Sequence, residues 1–87
     1  MTVPRILKRY ANRRLYDTVL KRYVTLAHVS DLVLAHEHVS VMDSDEQTDV
    51  TPRVLLQAIV AAESAGRLRL DAQVLVRVIR SAQRSGA

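Results

Sequence analysis

Helical periodicity begins only after residue 25, and this segregation limits the possible folds more than any other feature of the chain. The residues before it contain three short runs rich in β-forming residues, Ile6–Tyr10, Arg14–Asp17 and Arg22–Thr25. Asn12, between the first two runs, tolerates a tight bend. We therefore expect short hairpin strands at the N-terminus. The link over residues 18–21 contains two aliphatic residues where a polar turn is usual.

Three apolar stripes at helical spacing follow these runs. Thr25 precedes the first stripe as an N-cap, and Asp71 precedes the third. Thr51 and Pro52 predict the start of the second helix. Thr is a favoured N-cap residue, and Pro is tolerated at the first helical position because the N–H that it lacks would have no intrahelical partner there. Gly66 is suited to end that helix in a left-handed conformation. The stripes are Leu26, Val29, Leu32 and Val33; Val54, Leu55, Ala58, Ile59 and Ala62; and Val74, Leu75, Val78, Ile79 and Ala82.

The segment between the first two helices reads as extended. Val39 and Val41 alternate with Ser40 and Met42, as in a half-buried strand. Residues 43–47 are polar and predict a turn, and residues 48–50 predict a short return strand. The expected order is ββ(β)–α–ββ–α–α, a small single domain of the α+β class.

The composition argues against catalysis. The chain of 87 residues contains no Cys, and its Gly residues lie only at positions 66 and 86, so thiol chemistry and Gly-rich phosphate loops are excluded. His28, His36 and His38 are not accompanied by a complete set of metal ligands. We expect no enzymatic activity, no metal and no cofactor.

The N-terminal segment lacks the long apolar run of a signal peptide, and no apolar stretch reaches the roughly 20 residues that span a bilayer. We therefore expect a cytoplasmic protein with no membrane partner.

The net charge of +4 conceals three blocks of different sign. Residues 1–23 carry a net charge of +6, residues 24–66 carry −6, and residues 67–87 carry +4. In the first block the cations alternate with three Tyr, which is typical of a face that binds a polyanion such as DNA. A solvated surface, or one that binds acidic proteins, remains the plainer alternative. Leu15 and Tyr16 are expected in the core, and Asp17 is expected to form an internal ion pair beside Arg13 and Arg14.

One stretch carries a specific resemblance. The run from Lys8 to Thr18 reads KRYANRRLYDT and is followed by YVTL at residues 23–26. Together with the run from Asp49 to Thr51 and the helix containing Leu55 and Ile59, it closely resembles the N-terminal DNA-binding domain of the polyhydroxyalkanoate (PHB/PHA) synthesis repressors. The resemblance covers about residues 6–65.

The resemblance implies a bacterial regulator of transcription, expected to be nucleoid-associated, that binds double-stranded DNA in a sequence-specific way and acts as a repressor. The residues that it implies for DNA contact are Lys8, Arg9, Asn12, Arg13 and Arg14. Charge and aromatic content add Tyr10, Lys21 and Arg22 to these candidates. An alternative stays open, in which the basic strands dock an acidic partner protein or the surface of a polyester granule.

The last stripe is longer than one small sheet is expected to cover. We predict that it pairs with a second copy through Leu70, Val74, Leu75, Val78 and Ile79, giving a homodimer or higher homo-oligomer. The alternative is that this helix folds back on the second helix of its own chain. Residues 1–66 are thus assigned to a DNA-binding domain and residues 67–87 to a helical extension for oligomerisation.

Overall fold

A computed structural model describes residues 3–83 and confirms the α+β class. Three strands come first, followed by a helix, a fourth strand and two further helices. Their bounds are β1 Arg5–Arg9, β2 Leu15–Asp17, β3 Arg22–Val24, α1 Leu26–Leu34, β4 Val39–Asp43, α2 Thr51–Ser64 and α3 Ala72–Ser81.

The four strands form one sheet in the order β3-β2-β1-β4. The first three strands are antiparallel neighbours, as hairpin connections allow, whereas β4 lies parallel to β1 after the crossover through α1. The central strand β1 therefore has a neighbour on each side. Leu7 at its middle lies opposite Asp17 on β2 and Val41 on β4.

Strand alternation gives the sheet two different faces. Leu7, Leu15 and Val41 point toward α1 and α2, where they pack with Val29 and Val54 in a single apolar core. We call this side the helix face. Residues at alternate positions point the other way, onto what we call the open face: Ile6, Lys8, Tyr16, Tyr23, Ser40 and Met42.

A fully buried carboxylate connects β2 to the elements around it. Asp17 accepts hydrogen bonds from Arg5 on β1, at 2.9 and 3.2 Å, and from His28 on α1, at 2.9 Å. Its Oδ1 also accepts from the backbone N–H groups of Val19 and Leu20. Burial alone would raise the pKa of Asp17, but these donors together hold it far below the ordinary value. Asp17 does form an internal ion pair, but with Arg5 rather than with Arg13 or Arg14, and His28 forms a hydrogen bond to the same carboxylate.

A second buried carboxylate stands at the other end of β1. Asp43 on β4 accepts from the backbone N–H groups of Glu46 and Asp45 and from the Arg9 guanidinium at 3.1 Å. The hydrogen bond from Glu46 and that from Arg9 lower the pKa of Asp43 against the opposing effect of burial. Each of the two Asp residues thus binds one Arg of β1 and closes the turn that follows its own strand.

The start of α2 differs from the expectation in two ways. The return strand expected at residues 48–50 is reduced to one isolated bridge between Asp49 and Met42. Thr51 does not cap the helix with its side chain. Its Oγ1 instead accepts from the Val41 N–H at 2.7 Å, while Asp49 accepts from the Thr51 N–H. Thr51 therefore joins α2 to β4, a long-range contact that a local capping rule does not include.

The other expected helix boundaries are confirmed. Thr25 accepts from the N–H of His28, and Asp71 accepts from the N–H of Gln73. Gly66 follows α2 with φ of 74°, a left-handed conformation that costs glycine little. Unlike α1 and α2, α3 contains no buried residue.

We predict that Asp17→Asn lowers the free energy of unfolding by about 3–5 kcal/mol, because the Arg5 guanidinium loses its buried counter-charge. Since the folded-state pKa of Asp17 lies below its unfolded value, the carboxylate stabilises the fold above that value. Wild-type stability should therefore fall as pH drops from about 5, and the variant should show a smaller dependence. Urea unfolding across pH measures both effects.

Asp31→Asn is the matched control, because Asp31 pairs with Arg67 on the surface at 2.9 Å. It should cost less than about 1 kcal/mol and keep the wild-type pH dependence. Equal losses in the two variants would contradict the role given to Asp17.

Candidate nucleic-acid interface

The N-terminal block, residues 1–23, contains seven cations, and the three on β1 project from different faces of the sheet. Arg5 and Arg9 lie on the helix face, where Asp17 and Asp43 bind their guanidinium groups. Lys8, between them in sequence, projects from the open face and is exposed. Within residues 3–83, no ion pair involves Lys8 or the other four cations of the block, which are Arg13, Arg14, Lys21 and Arg22. Five positive charges of this block therefore remain available to an external anion.

The turn between β1 and β2 presents two of these cations. Tyr10 and Arg14 close the turn with a backbone hydrogen bond of 3.0 Å, and the Arg13 N–H donates to the Tyr10 carbonyl at 2.8 Å. The Asn12 Oδ1 accepts from the Arg14 N–H at 3.2 Å, as in an Asx turn. Arg13 has φ of 63°, a conformation uncommon for residues other than glycine. Asn12 therefore shapes the turn that exposes Arg13 and Arg14.

Three tyrosine rings pack together beside this turn. The centroids of Tyr10, Tyr16 and Tyr23 lie 5.5–6.4 Å apart with edge-to-face geometry. The guanidinium carbon of Arg14 lies 4.0 Å from the Tyr23 centroid, in cation–π geometry. Tyr16 is half-buried within this cluster on the open face, whereas Leu15 lies in the core as expected. The cluster therefore holds Arg14 in place without neutralising it.

The turn between β2 and β3 carries Lys21 at the opposite end of the hairpin, and Arg22 begins β3 opposite Asp17. Lys21 adopts φ of 59°, and its N–H donates to the Asp17 carbonyl at 2.7 Å. Val19 and Leu20 are exposed at the tip, while their backbone N–H groups donate to the Asp17 carboxylate. The buried Asp17 thus supplies the hydrogen-bond acceptor that a polar residue in the turn would otherwise provide.

Six of the eight predicted contact residues lie in or beside the open face and its two turns: Lys8, Tyr10, Asn12, Arg13, Arg14 and Lys21. Arg22 pairs with Asp17 at the start of β3, so strand alternation places it on the helix side of the sheet, where it is exposed. Arg9 lies on the helix face beside Asp43 with its side chain only partly exposed, although it lines two clefts together with Arg13. The turn, the tyrosine cluster and Lys8 together form a surface of positive charge and aromatic rings. Such a surface suits phosphate groups, sugars and bases.

One further cation lies near the site, and sequence reasoning missed it. Arg53, in the first turn of α2, lines a cleft together with Arg13. The acidic residues Asp43, Asp45 and Glu46 line the same cleft. Forty residues separate Arg53 from Arg13, and no local pattern connects them. The cleft places negative charge beside the turn and so sets one edge of the positive surface.

No group of His, Asp or Glu suited to a metal ion occurs within residues 3–83. No helix in that range is long and apolar enough to cross a membrane.

Comparison with known proteins places residues 6–66 in one family. These residues match the family described as PHB/PHA accumulation regulator DNA-binding domain. A protein of Allochromatium vinosum, described only as uncharacterized, is 44% identical over 80 residues, covering 92% of this chain and 52% of its own length. An uncharacterized protein in the phbA 5′ region of Thiocystis violacea is 41% identical over 80 residues, covering 92% of this chain and 58% of its own.

The chain therefore spans a little over half the length of these relatives. No solved structure matches it at a significant level. The family match covers the four strands except for Arg5, together with α1 and α2, and ends at Gly66, before α3 begins. The chain belongs to the family of PHB/PHA accumulation regulator DNA-binding domains.

Proposed function

We propose that this protein is a sequence-specific DNA-binding repressor of transcription that uses the open face of the sheet and its two turns as the DNA interface. The observation that carries the proposal is the division of the N-terminal cations. Two of them are bound by buried carboxylates, and five project without an ion pair within residues 3–83. Family membership supports DNA as the polyanion.

Phosphate groups account for the general affinity. Lys8 lies on the open face of β1, and Arg13 and Arg14 lie in the turn that follows this strand. Cations that contact phosphates release condensed counterions. The guanidinium carbon of Arg14 lies 4.0 Å from the Tyr23 ring centroid, a contact that favours one position of this side chain before DNA binds. An ordered cation loses less conformational entropy on binding than a mobile one. Arg9 contributes indirectly, because its bond to Asp43 fixes β1 rather than a phosphate.

Sequence discrimination requires contacts to base edges. Arg13 lies at the tip of the turn and suits guanine, while Asn12 beside it suits a base through its amide group. The Asn12 Oδ1 is already used by the Arg14 N–H, so its amide nitrogen is the atom that remains to donate to a base. Because β4 and β3 flank β1 and β2 in the sheet, the β1–β2 turn rather than the strands themselves reaches into the groove.

The remaining parts of the proposal concern assembly and location. Residues 67–87 serve a homodimer, so that two basic hairpins meet the two halves of an inverted-repeat site. The protein acts in the cytoplasm, on the nucleoid, without enzymatic activity or a cofactor. Docking of the same face to an acidic protein or to a polyester surface is the competing outcome that the experiments below would reveal.

The first test replaces two cations of the turn. Arg13→Gly keeps the positive φ without strain, and Arg14→Gln keeps the length of the side chain. In the double variant, the slope of log affinity against log salt for duplex DNA should become shallower by about 2, because each cation at a phosphate contributes roughly one unit. Fluorescence anisotropy over a range of salt concentrations measures the slope.

The control removes the same charge from elsewhere on the surface, with Arg67→Gln and Arg69→Gln in the linker after α2. This pair should leave the slope near that of the wild type. If the salt dependence becomes shallower by the same amount in both double variants, binding depends on net charge and the interface is wrongly placed. If wild type prefers acidic protein or polyester particles over DNA, the competing outcome holds.

A second test separates the two roles of Asn12. Asn12→Asp keeps the Oδ1 acceptor for the Arg14 N–H but removes the amide donor, whereas Asn12→Ala removes both. Only the Ala variant should lose stability, by about 1 kcal/mol. Both variants should reduce the ratio of operator to random-DNA affinity by about fivefold or more.

The affinity ratio is informative because the added negative charge of Asp weakens both DNAs alike. Thermal unfolding supplies the stability comparison, and competition binding supplies the ratio. An unchanged ratio in the Asp variant would limit Asn12 to shaping the turn.

A further inference from the structure

The helix α3 has an apolar side that its own chain does not bury. Its ten residues include Val74, Leu75, Val76, Val78 and Ile79, each at least 40% exposed, and none of its residues is buried. A helix this short is marginal in water on its own, and four of these five residues are β-branched. The helix therefore requires a surface that covers it.

The same chain offers an unfilled apolar groove between α1 and α2. The groove has a volume of about 340 Å³, and its lining includes Val33, Leu34, Leu55, Ile59, Ala62 and Leu68. Leu34 is 67% exposed there, although it lies at the end of a helix whose other side fills the core. We call this feature the α1–α2 groove.

The charges of the two surfaces are complementary. Arg77 and Arg80 are the charged residues of α3, which contains no acid. The C-terminal parts of α1 and α2 carry Asp31 and Glu63, and neither helix has a basic residue in its last turn. The negative ends of these two helix dipoles therefore lack a cation of their own helix. An incoming basic helix would provide one beside Glu63, whereas Asp31 already pairs with Arg67.

The linker before α3 is held at the edge of the groove. Arg67 donates to Asp31 on α1 at 2.9 Å, and the Leu68 N–H donates to the Ala62 carbonyl at 3.3 Å. Residues 69–71 alone separate this anchor from the first residue of α3. In this arrangement α3 stands away from its own groove, which stays open.

We propose that the α1–α2 groove of one chain receives α3 of a second copy, and that the exchange is reciprocal. A dimer with twofold symmetry then buries both α3 helices in the two grooves. It also places Arg77 and Arg80 beside acidic helix ends. Direct pairing of α3 with α3 covers only two ten-residue stripes and brings like charges together. The proposal gives a surface to the homodimer put forward above, but its test requires no DNA.

Three single variants locate the interface. Ile79→Asp places a charge on α3, and Leu34→Glu places one in the groove. Leu56→Glu is the matched control, because Leu56 is 55% exposed on α2 but lines a different surface, with Leu26 and Val60. Ile79→Asp and Leu34→Glu should each weaken self-association by about a hundredfold or more, because a dimer of either variant buries two unpaired charges. The Leu56→Glu control should associate like the wild type.

Mixing provides the decisive comparison. Each disruptive variant keeps the half that the other has lost, since the Leu34→Glu chain has an intact α3 and the Ile79→Asp chain an intact groove. An equimolar mixture should therefore form a heterodimer through one intact contact, more weakly than wild type but more strongly than either variant alone. Sedimentation equilibrium measures association, and circular dichroism checks that each variant is folded.

Each alternative arrangement gives a different result. Pairing of α3 with α3 predicts no recovery on mixing, and α3 folded into its own groove predicts monomers for the wild type and for every variant. Either result overturns the proposal. Dissociation of the Leu56→Glu control to the same extent as Leu34→Glu would also overturn it, because the contact would then lie on another face of α2.

Discussion

Two buried aspartates hold the central strand in place, and the rest of the fold depends on them. Asp17 and Asp43 flank β1 on its two neighbouring strands, and each binds an Arg of β1 together with backbone N–H groups of the following turn. Buried charges are tolerated only when their hydrogen bonds are satisfied, and no buried side-chain polar atom in the described part of the chain lacks a partner. The core around Leu7 is small, so this polar framework specifies its register.

The same framework explains why a basic segment can be both structural and functional. A run of cations on one strand alternates between the two faces of a sheet. The aspartates neutralise the two cations that β1 places on the helix face, at positions 5 and 9, and leave Lys8 on the open face. Arg13 and Arg14 belong to a turn that Asn12 and the tyrosine cluster shape. One sequence block thus supplies both the internal ion pairs and the exposed positive surface.

Features that depend on neighbouring residues could be predicted from the sequence, and features that depend on distant ones could not. Thr25, Gly66 and Asp71 act at helix ends through contacts within a few residues, so local rules identified them. The partners of Asp17 lie 11 and 12 residues away, and Thr51 bonds to a strand ten residues earlier. Charge counting also could not separate Arg9 from Lys8, because only the strand register shows which face each occupies.

The proposed DNA interface comprises the open face and the β1–β2 turn and excludes the helix face. The most direct measurement is a map of backbone amide chemical-shift changes as duplex operator DNA is added to the labelled protein. With this interface, the changes should concentrate at Lys8, Tyr10, Arg13, Arg14 and Tyr23, with little change at Val54 and Ala58 on α2. Changes concentrated on α1 and α2, with the turn unaffected, would contradict it.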